Sequence, residues 1–232
     1  MTSIPPTSAA LPSLRSLELT VCFFDMAGFT ALTEAHGDSR AADLAVQLTS
    51  LAHGAMGPTD VFVKSIGDAV LVTSPTPPAA LALATRLFDA AAAVEGFPVL
   101  RAGLHHGPVV LRDGDIFGAT VNLAARVAAH ASGNQMVTTH EVAQAARVAG
   151  LGVQELGPIA LKNVRDPVIL FALVAAGASS AAVDPVCRMR VNPGSAPGSL
   201  RYGGAQYWFC SWKCLVDFTQ SPTTHVAGFT DR

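Results

Sequence analysis

Five polar side chains stand where chemistry accounts for them better than packing does: Asp25, Lys64, Asp68, Asn122 and Arg126. Asp25 closes the apolar run LELTVCFFD, and Gly28-Phe29-Thr30 opens the helix-favouring stretch behind it. Free N–H groups at a helix start attract phosphate oxygens, and a glycine lets a ligand come close. A carboxylate beside such a terminus can hold Mg2+, which prefers oxygen donors. Asp68 begins the second strand of a hairpin, VFVKSIGDAVLV, whose turn is flanked by Lys64 and Asp68. If the two strands are neighbours, Asp25 and Asp68 meet at one sheet edge and repel unless a cation lies between them. The plainer alternative stays open, with Asp25 as a helix cap and Asp68 as a turn residue. Asn122 and Arg126 stand four apart in GDIFGATVNLAARV, hence on one helical face. A permanently charged guanidinium beside an amide suits phosphate recognition and the neutralisation of developing charge. A surface arginine is the alternative, although a helix built to pack usually excludes one without a partner.

The elements that must position these groups alternate. Residues 17–25 read as a strand, AADLAVQLTSLAHGAM as an amphipathic helix, and the hairpin comes next. An alanine-rich helix follows Pro77-Pro78, and RAGLHHGPVVL is strand-like up to the turn signal Asp113-Gly114. GATVNLAARVAAHA is helical, NQMVTT a short strand, and two strands, GLGVQELGPIAL and PVILFALVA, close the region. This order predicts an α/β (α+β) sandwich with helices covering an antiparallel or mixed sheet. His105 and His106 alternate along their strand, one expected toward the core and one toward solvent, and neither is given a catalytic role.

The chain of 232 residues suffices for one ordinary core and a small second module. A net charge of −2 provides no basic field for nucleic acid. No apolar run is long enough for a bilayer span; the longest candidate, AALALATRLFDAAAAVEG, contains Arg86, Asp89 and Glu95. Residues 1–16 read as a flexible tail without the pattern of a signal peptide, so a cytoplasmic location is expected. Three of the four cysteines, Cys187, Cys210 and Cys214, cluster near the C-terminus, which suggests metal or thiol chemistry more than a disulfide framework.

FFDMAGFT, KSIGDAVL, RAGLHHGPV and DIFGATVNLAARV, in this order and spacing, resemble the catalytic domain of class III nucleotidyl cyclases. The resemblance runs over residues 17–175 and implies a ferredoxin-like sandwich on a mostly antiparallel sheet. It also implies a homodimer with two composite sites; a bacterial source is expected from the alanine-rich composition with Lys64, Lys162 and Lys213 as its only lysines. In each site Asp25, Asp68 and the Met26 backbone carbonyl of one subunit hold two Mg2+ or Mn2+ ions, with the phosphates on Gly28, Phe29 and Thr30. The partner supplies Lys64 and Asp115 to read the base, Asn122 to orient the ribose and Arg126 to steady the phosphates. A lysine only donates and a carboxylate only accepts, which matches adenine and makes ATP the expected substrate. Guanylate-forming members tend to carry Glu and Cys at these places. Asp113 competes with Asp115 for the acceptor role but sits in the turn. The arm from Gly107 to Asp115 is short, Phe117 replaces a frequent Trp or Tyr, and Asn163 stands where glycine is common. Lys162 is either a phosphate ligand or a solvated lysine.

Residues 176–183 read as a linker and 228–232 as a terminal tail. Between them, residues 184–227 (DPVCRM, YGGAQYWFCSWKC, Phe218) resemble a YHS domain, a small module linked with metal handling. Cys187, Cys210 and Cys214 would offer three thiolates to Zn2+ or another soft ion, with His225 or solvent as fourth ligand. Alternatively they are small apolar fillers. Arg188 replaces the motif's usual glycine. The function expected is an adenylate cyclase tuned by metal or redox through this module. A non-catalytic metal-sensing or nucleotide-binding regulator and a guanylate cyclase are the alternatives.

Overall fold

The computed structural model describes residues 16–174 and 182–230. The expected tail therefore lies outside the described residues except Ser16, as does most of the expected linker. In chain order the elements are β1 (Ser16–Met26), α1 (Phe29–His36), α2 (Asp38–Ala55), β2 (Val61–Ile66), β3 (Ala69–Ser74), α3 (Pro77–Ala93), β4 (Leu100–Arg112) and β5 (Asp115–Phe117). Then come α4 (Ala119–His130), β6 (Met136–Thr138), α5 (His140–Val148), β7 (Gly152–Ile159) and β8 (Val168–Val174). The C-terminal part adds β9 (Ala182–Val183), β10 (Arg190–Val191), β11 (Gly198–Tyr202), β12 (Ala205–Phe209), α6 (Trp212–Gln220) and α7 (Pro222–Thr230).

The large sheet has the order β2-β3-β1-β4-β6-β8-β7, with β5 added on β4. Only the β4–β6 pairing is parallel, so the sheet is mostly antiparallel as expected. β1 is central, and residues 20–24 are buried on both faces. Side chains alternate across a strand. Cys22, Phe24 and Met26 therefore join the core under α2 and α3, while Val21 and Phe23 join a second cluster under α4. The alanine-rich α3 buries Ala80, Leu83, Ala84, Leu87 and Ala91, which recur at helical spacing. Thr76 caps its start by accepting the Ala79 N–H, with proline in the first turn. Gly103 sets the height of α4, because a Cβ there would lie 2.1 Å from the Ala128 nitrogen.

The C-terminal residues do not form a separate small core. Val186, Cys187, Met189, Tyr207, Phe209 and Phe218 belong to the same apolar cluster as Phe97 and Leu100. Pro98 bridges Met189, the Val99 N–H donates to the Arg188 carbonyl at 3.0 Å, and the Arg190 N–H donates to the Phe97 carbonyl at 3.1 Å. β9 starts inside the stretch expected as linker, and α7 continues through residues 228–230, expected as tail.

Candidate functional site

Asp25 sits near the end of β1, in register with Ala69 on β3 and Arg101 on β4. Asp68 occupies the β2–β3 turn, and its carbonyl accepts the Met26 N–H at 3.3 Å. The two carboxylates thus face one edge of the sheet, as the strand-neighbour reading requires. Arg101, which the sequence motifs did not single out, donates to Asp25 Oδ2 from Nε at 2.7 Å and from an Nη at 2.5 Å. Burial pushes the Asp25 carboxyl up to about 6; Arg101 opposes this and the Asp68 charge adds to it. The all-oxygen donor set and the mutual repulsion of the two acids fit a hard divalent cation. Behind them, Gly28 takes a left-handed φ of 72° at the start of α1, which has no side-chain cap. Gly28, Gly133, Asn134, Arg101 and Arg188 line a cavity of about 350 Å³.

Lys64 and Asp115 are brought together in one chain. A bulge in β2 between Phe62 and Lys64 shifts the register, and β5 begins at Asp115 opposite Arg112. Lys64 Nζ donates to Asp115 Oδ2 at 2.5 Å, and Asp115 Oδ1 accepts the Ile116 N–H at 2.8 Å. These bonds, the lysine first, hold the Asp115 carboxyl below its usual range. Asp113 is a turn residue with φ 51° and a side chain 94% exposed.

Asn122 and Arg126 lie on the exposed face of α4. The helix accommodates Arg126 at the surface because the opposite face, with Ala124, Val127 and Ala128, meets the sheet. Both residues line a cavity of about 430 Å³ with Lys162, Asn163 and Arg165, so Lys162 is placed with the cationic group. Asn163 has φ 63°, a conformation that asparagine tolerates and β-branched side chains resist. The cavity beside Asp25 and the cavity beneath Arg126 share no lining residue.

The histidines of β4 differ from expectation. Both are half-buried, His105 Nδ1 lying 2.8 Å from the Thr139 hydroxyl and His106 Nδ1 3.0 Å from that of Thr20.

Cys187, Cys210 and Cys214 converge as free thiols, joined by His36 at the end of α1. His225 is not the fourth member; its ring lies against Phe218, centroids 6.0 Å apart. Nothing local could have named His36, which lies 174 residues from Cys210. Hydrogen bonds from Cys187 and Cys210 hold the Cys214 thiol well below its usual range. The same sulfur contacts, with burial, hold Cys187 above its usual range. Such a set of one imidazole and three sulfurs could hold a metal ion.

The adenylate and guanylate cyclase catalytic domain family matches residues 12–175, and the YHS domain family matches residues 182–227. The chain is 36% identical over 165 residues to a pH-sensitive adenylate cyclase of Mycobacterium tuberculosis, covering 69% of this chain and 41% of that protein. It is 38% identical over 108 residues to an adenylate cyclase of Streptomyces griseus, covering 46% of this chain and 27% of the other. The chain thus spans less than half the length of these relatives. Among solved structures, an adenylate/guanylate cyclase/hydrolase from Silicibacter pomeroyi superposes with a TM-score of 0.61 at 26% identity, covering 71% of this chain and 100% of that one. Among the described residues no helix is long and apolar enough to cross a membrane. The sheet order, the acid pair at the end of β1 and the match over most of the sequence agree, and the chain belongs to the adenylate and guanylate cyclase catalytic domain family, followed by a YHS domain.

Proposed function

We propose that the protein is an adenylate cyclase that converts ATP to 3′,5′-cyclic AMP and pyrophosphate at two composite sites of a homodimer. The observation that carries this reading is the Lys64–Asp115 pair, a donor and an acceptor held side by side. Adenine presents an acceptor at N1 and a donor at N6, so Lys64 would turn to N1 and Asp115 to N6. A guanine would set its N1 hydrogen and O6 against them in the wrong order.

What supports the dimer is what a single chain leaves apart. Arg101, the partner of Asp25, and the Asn122–Arg126 face line separate cavities. Val61, Ile66 and Phe117 are exposed apolar residues on the strands that carry Lys64 and Asp115, and Leu111 is exposed on β4 beside β5, a surface suited to a twin. Asp25, Asp68 and the Met26 carbonyl would hold two Mg2+ or Mn2+ ions, which supply charge neutralisation at the phosphates and a lowered pKa for the 3′ hydroxyl. The N–H groups of Gly28, Phe29 and Thr30 would bind phosphate oxygens at the uncapped start of α1. Arg101 would release Asp25 and turn to the triphosphate. From the partner, Asn122 would orient the ribose and Arg126 would stabilise charge as the 3′ oxygen bonds to the α-phosphorus and the bond to pyrophosphate breaks. The expected location is cytoplasmic, without nucleic-acid partners.

The test is product analysis with purified full-length protein, Mn2+, and ATP or GTP. Cyclic AMP from ATP is the expected outcome. ATP binding without turnover would instead favour a nucleotide-binding regulator, and preferential cyclic GTP formation would overturn the base assignment.

A further inference from the structure

We propose that His36, Cys187, Cys210 and Cys214 bind one thiophilic divalent cation of the zinc class, and that this ion fastens the YHS module to the first helix of the cyclase domain. Three ligands come from the module and the fourth from the catalytic domain, so the site exists only when the two are docked.

Four of the six spacings among the ligand atoms lie near the edges of a tetrahedral shell. With Zn–S near 2.3 Å and Zn–N near 2.05 Å, tetrahedral edges are about 3.8 Å between sulfurs and about 3.6 Å between sulfur and nitrogen. Cys187 and Cys210 sulfurs are 3.3 Å apart, and Cys210 and Cys214 sulfurs 3.7 Å apart. His36 Nε2 lies 3.4 Å from the Cys210 sulfur and 3.9 Å from that of Cys214. All four ligand atoms fall within 4.8 Å of one another. A disulfide would need sulfurs near 2.05 Å, and these cysteines are free.

The surroundings are built to hold this arrangement. Asp184, fully buried, accepts the Val186 N–H at 2.8 Å through one oxygen and the Cys210 N–H at 2.8 Å through the other. One carboxylate therefore ties together the two segments that carry the sulfurs, as outer partners do around metal centres. Ser211 caps α6 by accepting the Cys214 N–H at 3.1 Å, placing Cys210 and Cys214 at the strand-to-helix corner. A shell filled by four protein donors, Cys187 and Cys214 buried and His36 and Cys210 half-buried, is of the structural kind.

The ion would also act at a distance. Arg188, beside Cys187, adopts φ 62°, a left-handed conformation that L side chains with a Cβ resist. Its Cγ lies 2.7 Å from where a Cβ on Gly28 would stand. Ligation of Cys187 and His36 thus holds both Arg188 and α1 against the start of the phosphate-binding loop. This last consequence rests on the cyclase reading; the metal site itself does not.

Full-length protein purified under reducing conditions is expected to carry one zinc per chain, with X-ray absorption showing three sulfurs and one imidazole nitrogen. Cobalt substitution should give an intense tetrahedral spectrum with sulfur charge-transfer bands. His36→Ala should weaken zinc binding upwards of about 100-fold, more than the loss of an outer partner costs, and alter the cobalt spectrum. In the wild-type protein, chelation should speed hydrogen exchange along residues 29–36. Absence of a tightly bound ion would overturn the site. An imidazole-free shell, or a His36→Ala variant with unchanged affinity and spectrum, would confine any ion to the module and overturn the clasp. None of these readouts uses turnover, so a missing cyclase activity would leave the zinc site standing.

Discussion

The protein carries two clusters of metal-competent side chains, and they are opposites. Asp25 and Asp68 are oxygen donors at a partly open sheet edge, one of them held by the long side chain of Arg101. His36, Cys187, Cys210 and Cys214 are soft donors closed around one point and backed by a buried carboxylate. Hard ions that keep waters and exchange quickly suit the first, and a tightly held borderline ion suits the second. Under the two proposals above, one fold would separate an ion for chemistry from an ion for assembly: the first needs vacant coordination positions, the second must have none.

The largest effect should come from removing a carboxylate of the open cluster. Asp25→Ala or Asp68→Ala is expected to cut cyclic AMP formation by about 10²–10³-fold, measured at saturating Mn2+, while zinc content stays at that of the wild type. Loss of zinc in these variants would break the separation of the two clusters. Next, mixing Asp25→Ala with Arg126→Ala should regenerate activity, because half of the random dimers carry one intact site, giving about a quarter of wild-type sites. No recovery among dimers verified by mass would break the shared-site geometry. Smaller again, Lys64→Glu combined with Asp115→Cys should shift the ratio of kcat/KM for GTP over ATP by at least about 10-fold.

The smallest effect is on stability. The folded-state pKa of Asp25, about 6, exceeds the unfolded value, so the native state binds the extra proton between roughly pH 4 and 6. Its contribution to stability is full below that window and is lost as pH rises through it. In metal-free protein, Asp25→Asn should therefore be more stable than wild type at pH 7.5, by about 1 kcal/mol once solvent screening is allowed for. The gap should close toward pH 4. Urea titrations at the two pH values test this, and an advantage that grows on acidification would contradict the burial of Asp25.

Much of the catalytic region is legible in the residues themselves. Asp25 and Asp68 sit at a strand end and a turn, Lys64 within the hairpin strand β2, and Asn122 and Arg126 on a helix face, where local spacing carries the signal. Helices such as α2 and α4 show in their periodicity, and Asp113-Gly114 shows as a turn. What sequence order does not reveal is pairing across long separations. Arg101 reaches Asp25 over 76 residues through the β1–β4 register, and His36 meets Cys210 only because the module docks. Within the module the nearest candidate for a fourth ligand is His225, which serves instead as an aromatic neighbour of Phe218. The strained φ of Arg188 explains why glycine is usual there, yet its contact with Gly28 is a product of docking.

Val99 receives the N–H of Ala27 at 2.9 Å and gives its own to Arg188. A single residue is therefore a hinge pin shared by the loop after β1 and by the C-terminal appendage. Shortening the polypeptide after residue 175 would leave that pin half drawn, with Phe97 stripped of its neighbours from the appendage. The family boundary is a seam in the sequence, but in the folded molecule the cloth runs straight across it.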